Sequence, residues 1–130
     1  MPIRPVSYKN SLLWKKSEEL VSKAGLISPS PEEMHQGLFF QVKNTLASIQ
    51  KDIKQAYGQT DHQVVLYYFS KTKSSCMILE GMLVKIVESI PLSFYSEWLS
   101  VIEEMKSILD NYIRLSQINI IIEKKREEKK

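Results

Sequence analysis

Residues 61–90 read DHQVVLYYFSKTKSSCMILEGMLVKIVESI, and they decide the fold. No proline interrupts the stretch, and its only glycine is Gly81. Val65, Tyr68, Phe69, Thr72, Cys76, Leu79, Leu83, Ile86, Val87 and Ile90 recur at spacings of three and four. That is the period of one face of an α-helix, not the alternation of a strand. Thr60 or Asp61 supplies an N-cap and Pro91 a breaker, so the spacing predicts a helix over about 61–89. A helix this long needs neighbours to bury its apolar face.

Three neighbours follow from the rest of the chain. Upstream, Leu38, Val42, Thr45, Leu46, Ile49, Ile53 and Ala56 form an apolar stripe over about 31–57. Ser30 stands as its N-cap, Pro31 at its first position, and Glu33 completes a capping box in a first turn that also holds Glu32. Further upstream, Leu13, Trp14, Leu20, Val21 and Ala24 predict a helix over about 7–24, with Gly25 as its stop. Downstream, Trp98, Val101, Ile102, Met105, Ile108, Leu109, Tyr112 and Leu115 predict a helix over about 92–118 that frays through Ile118 to Ile122. Four amphipathic segments with short links give an all-α, antiparallel up-down-up-down four-helix bundle over residues 1–122, followed by a charged, flexible tail at 123–130.

Composition agrees. Hydrophobic residues make up 43% of the 130 and charged residues 25%, enough for one domain with its own core. Four glycines and five prolines are few, which favours long helices. The single cysteine, Cys76, excludes an internal disulfide and a multi-cysteine zinc site, and its place in the stripe reads as core. No signal-peptide core and no bilayer-length apolar run stand out, so the sequence reads as cytoplasmic, with no membrane partner.

Two faces should not look as they do. On the segment 31–57, Lys43, Ala47, Lys51 and Lys54 fall within roughly 80° of one another at about 100° per residue, nearly opposite the apolar stripe. They form either a solvated face, with Asp52 beside it, or a strip that tracks successive phosphates. On the segment 61–89, the side away from the core reads Tyr67, Ser70, Ser74, Met77, Ile78, Gly81 and Val84, with Lys85 at its edge. Small residues there admit a close helix, and Met77 and Ile78 supply apolar contact. The face predicts a self-association surface, the alternative being an unusually wide core. The Ile120 to Ile122 run is either a second contact surface or a frayed end.

Net charge is +3, and residues 123–130 hold five basic and three acidic residues, so the body is nearly balanced. A nucleic-acid site must then be a local patch. Lys124, Lys125 and Arg126 read either as a solubilising tail or as an electrostatic arm for RNA or DNA.

Catalytic patterns do not emerge. His35 and His62 lack a second His or Cys at ligand spacing, so no metal is expected. No nucleophile elbow or phosphate loop is present, and no small-molecule substrate or cofactor is implied. Helical nucleotide pyrophosphatases place a third Glu one turn after an acidic pair, whereas Glu18-Glu19 is followed by Ser22 and Glu103-Glu104 by Ser107. A di-iron bundle needs two Glu-x-x-His pairs, and only Glu32 with His35 is found.

Gly37-Leu38, Gln41-Val42-Lys43 and Ser48-Ile49 match a family pattern, although Asp52-Ile53-Lys54-Gln55-Ala56 keeps only Ile53 of its second half. Tyr8-Lys9 through Trp14-Lys15-Lys16-Ser17-Glu18-Glu19-Leu20, then Tyr68, Lys71, Ser74-Ser75 and Leu79-Glu80, extend the likeness over about 8–115. The chain resembles the bacterial four-helix-bundle proteins of ribosomal-RNA intervening sequences. Their relatives include the accessory variability proteins of diversity-generating retroelements. The resemblance implies a homopentameric ring with no active site, in which the outer side of the third helix is a subunit contact. It also implies a non-catalytic accessory that binds a reverse transcriptase and nucleic acid, the RNA template or cDNA, through basic surface. Lys43 falls at the family's basic position. Lys51, Lys54, Lys71 and Lys73 are candidates from their placement in this sequence alone. The alternative is a protein-interaction scaffold of the intervening-sequence type with no nucleic-acid role.

Overall fold

Four α-helices and no strand make up the described residues, 8–26, 36–87, 90 and 92–129, of the computed structural model. A short 3-10 helix at Tyr8–Asn10 leads into α1 (Leu12–Leu26), α2 (Gln36–Tyr57), α3 (His62–Ile86) and α4 (Leu92–Glu128). α3 packs on α2 and α4, and α1 packs on the same two helices.

Side-chain pairings fix the directions. Along α1, Lys16 meets Glu104 and Lys23 meets Glu97, so α4 runs backwards as α1 advances. Between α2 and α3, Thr45 meets Met82 and Asp52 meets Lys71. Between α3 and α4, Lys73 meets Asp110 and Glu80 meets Lys106. Gln50 reaches back to Ser17, and Lys54 further back to Tyr8. Each sequential pair is therefore antiparallel, and the bundle runs up-down-up-down.

Its core is built from the stripes. Leu13, Leu20, Leu46, Ile49, Ile53, Leu79, Leu83, Ile86, Trp98, Ile102, Met105 and Leu109 are fully buried. Each contributes on the order of 1.5–3 kcal/mol by leaving water. Three positions differ from the sequence reading, the first being Val21, which is 39% exposed and not part of the core. Phe39 is buried beside half-buried Leu38, and Leu115 is 55% exposed, lining an open cleft with Val65 and Phe69 of α3.

Helix ends follow local chemistry. The Ser11 Oγ accepts from the Trp14 N–H at 3.1 Å and caps α1. Asp61 caps α3 by accepting from the Gln63 N–H at 2.9 Å. α1 continues through Gly25 to Leu26 instead of stopping there. No described glycine has positive φ, and buried Ala24 anchors that last turn. The expected cap of α2 at Ser30, Pro31, Glu32 and Glu33, together with His35 and the breaker Pro91, lies outside the described residues.

The largest difference is at the C-terminus. α4 does not fray near Ile118 but runs on to Glu128. His62 Nε2 lies 3.4 Å from Glu123 Oε1, which ties the extension to the start of α3. Glu, Lys and Arg at 123–128 are strong helix formers, and Lys125 and Arg126 suit the negative end of the helix dipole.

Candidate nucleic-acid interface and assembly face

The α2 strip stands clear of the core. Lys43, Ala47, Lys51 and Lys54 are all exposed, and the α2 sequence carries a single acidic residue, Asp52. Asp52 does not flank the strip. It is buried at 2% exposure and turned to α3, where its Oδ1 lies 3.5 Å from the Lys71 Nζ.

Five lysines elsewhere have carboxylate partners on another helix. Lys16, Lys23, Lys71, Lys73 and Lys106 pair with Glu104, Glu97, Asp52, Asp110 and Glu80 respectively. Hydrogen bonds that the Lys16 and Lys106 ammoniums donate to the Glu104 and Glu80 carboxylates hold both lysines above their ordinary range. Among the described residues, no carboxylate comes within 4 Å of Lys43, Lys51 or Lys54. Lys71 and Lys73, grouped with the strip from sequence, thus sit in a different electrostatic setting. Lys124, Lys125 and Arg126 are exposed on the last turns of α4, where successive residues splay by about 100° instead of forming one strip.

Aromatic groups flank the strip. Phe40 is 66% exposed, and its position three residues before Lys43 puts it on the same side of α2. At the other end, the Lys54 Nζ lies 5.8 Å from the centre of the Tyr8 ring, and the Lys9 Nζ lies 6.0 Å from it. Tyr8 is held edge-on against Trp14 at 4.8 Å. Between the strip and α1 runs a groove of about 310 Å³ lined by Val21, Ala24, Lys43, Leu46, Ala47 and Gln50. The Gln50 amide donates to the Ser17 Oγ at 3.2 Å, which fixes its orientation. Sequence reasoning missed Phe40, which was assigned to no stripe, and Tyr8, which entered only through the family likeness. Counting back from the lysines would have found Phe40.

The outer side of α3 is apolar and open. Tyr67, Met77, Ile78 and Val84 are 59%, 57%, 56% and 61% exposed. Ser74 and Gly81 are exposed and Ser70 half-buried, and a Cβ on Gly81 would meet nothing within 4 Å. At about 100° per residue, Ser70, Ser74 and Gly81 lie in a central row. Tyr67 and Ile78 form one shoulder of it, and Met77 and Val84 the other. This is a groove that a second helix can enter. α4 adds another open apolar patch, with Leu115, Ile118, Ile121 and Ile122 between 42% and 55% exposed and Ile120 half-buried.

No cluster of three or more His, Cys, Asp or Glu side chains able to hold a metal occurs among the described residues, and none of their helices is long and apolar enough to cross a membrane. Cys76 is buried on the inner side of α3, and burial pushes its thiol up to about 12, which keeps it protonated and unreactive. Compared with known protein families, with curated proteins and with solved structures, the chain finds no match in any of the three.

Proposed function

We propose that this protein is a non-catalytic accessory that assembles with copies of itself through the outer side of α3. In the assembly it presents the α2 lysine strip to nucleic acid in support of a reverse transcriptase. One observation carries the reading: four large apolar side chains on α3 lie more than half exposed, around a row of small residues. Apolar surface of this extent calls for a partner, and a groove with apolar shoulders is suited to a copy of itself. The reverse transcriptase, the RNA or cDNA and the ring of five come from the resemblance to the retroelement accessory proteins.

Assembly also answers a weakness of the single chain. Three lysines on a nearly balanced body bind phosphate weakly, but linked copies raise the effective concentration of every strip. A second reading, a protein-interaction scaffold without nucleic acid, draws on the ion pairs of Lys71 and Lys73, which leave fewer free cations. Partner binding that does not weaken with salt would favour it.

Solution mass by light scattering tests the assembly. The expected result is a multiple of the 15.1 kDa chain, near five for the ring, that falls to one chain in an Ile78→Glu variant. A wild-type mass of one chain would overturn self-association.

A further inference from the structure

We infer that the α2 strip is built for single-stranded nucleic acid and discriminates against duplex, an assignment that rests on the nucleic-acid reading above. The lysines alone do not distinguish the two forms, because both present phosphates. Lys43 to Lys54 spans about 16 Å of helix, room for only a few phosphates of either. The neighbours of the strip make the difference.

Phe40 holds an aromatic ring two-thirds in water on the lysine side of α2, where no described aromatic ring packs against it. An exposed ring in line with cations suits the flat face of a base, and base faces are accessible only when the strand is unpaired. At the far end of the strip, Tyr8 adds a second ring, partly buried against Trp14 and bracketed by Lys54 and Lys9. The groove beside Lys43 and Ala47 has apolar walls, with the fixed amide of Gln50 among them. It can take an unstacked base edge-on, with the amide oxygen and second N–H of Gln50 as its polar partners. A duplex keeps its bases stacked and has nothing to offer Phe40 or this groove. Phosphate contact, aromatic stacking and a pocket beside the strip together describe a single-strand track.

Fluorescence anisotropy on the full chain tests this with a labelled 20-nucleotide single strand, as RNA and as DNA, and the matching duplexes. The variants are Phe40→Ala, whose exposed site leaves folding intact, and the double variant Lys51→Glu with Lys54→Glu. Wild type should prefer the single strand by about tenfold. Phe40→Ala should lose about fivefold or more on the single strand and nothing on the duplex. The double lysine variant should weaken both. Equal affinity for the two forms, unchanged by Phe40→Ala but lost in the lysine variant, would overturn the single-strand assignment and leave the nucleic-acid reading standing. Absence of binding to either form at low salt would remove both.

Discussion

Ile78 and Leu79 are neighbours in sequence and nearly equal in hydrophobicity, yet Leu79 is fully buried and Ile78 is 56% exposed. The contrast holds along the whole of α3. Phe69, Thr72, Cys76, Leu79, Leu83 and Ile86 face the bundle, and Tyr67, Met77, Ile78 and Val84 face water. Hydrophobicity alone did not choose the core side. The inner row keeps the helical spacing that meets the stripes of α2 and α4, and the outer row is broken by Ser70, Ser74 and Gly81. α2 shows the ordinary pattern, with a solvated outer side of lysines. Two adjacent helices therefore present opposite chemistry outwards, apolar on α3 and cationic on α2.

The largest expected effect breaks the contrast at its sharpest point. Leu79→Ala removes a buried side chain and leaves a cavity, which costs about 2–5 kcal/mol in chemical denaturation. Ile78→Ala should change the stability of the isolated subunit by less than about 0.5 kcal/mol, because it vacates only solvent. Similar losses at both positions in the dissociated protein would mean that the outer side is covered within one chain.

The same two sides explain how much was legible in the sequence. Four helices and most of their core positions followed from spacing, since a period of three and four admits one geometry. The open face of α3 was legible too, because Met77 and Ile78 had no stripe to meet. Asp52 was not. A carboxylate beside lysines reads as a surface residue, and only the approach of α3 turns it inward. The reach of α4 was also hidden, because Ile120, Ile121 and Ile122 show no single face and the support of Glu123 by His62 is a tertiary contact. Phe40 was visible in the sequence but went unassigned, since its neighbour Phe39 enters the core and it does not.

A smaller effect distinguishes the inner side by chemistry. The Cys76 thiol has an ordinary value of 9.0, and burial pushes it up to about 12. Between those values the unfolded chain ionises the thiol and the native chain keeps it protonated. The native state then binds more protons, so stability falls as pH rises. This contribution is intact below about pH 9 and is lost towards pH 12, with a slope of at most about 1.4 kcal/mol per pH unit. Burial also raises the Tyr57 phenol, which adds alkaline loss of the same sign. Denaturation midpoints should therefore fall less between pH 9 and pH 11 in Cys76→Ala than in wild type. Ile78→Ala should follow wild type. Parallel slopes for Cys76→Ala and wild type would remove the thiol as a cause.

The smallest effect separates two lysines that look alike in sequence. Lys51 and Lys71 are both exposed, but only Lys71 faces a carboxylate, and that carboxylate is buried with its Oδ2 unpartnered. Removing Lys71 leaves Asp52 without its cation in a site largely closed to water. The ammonium is itself half in solvent, so Lys71→Ala should cost only about 1 kcal/mol, seen as a lower thermal midpoint. Lys51→Ala removes no partner and should leave the midpoint unchanged. Nucleic-acid affinity should show the reverse order. Lys51→Ala should flatten the dependence of log affinity on log salt by about 0.7 for a single strand, whereas Lys71→Ala should hardly alter it. If the two variants instead behave alike in both measurements, ion pairing does not separate structural lysines from binding lysines here. The basic surface would then have to be redrawn to take in Lys71 and Lys73 with the α2 strip.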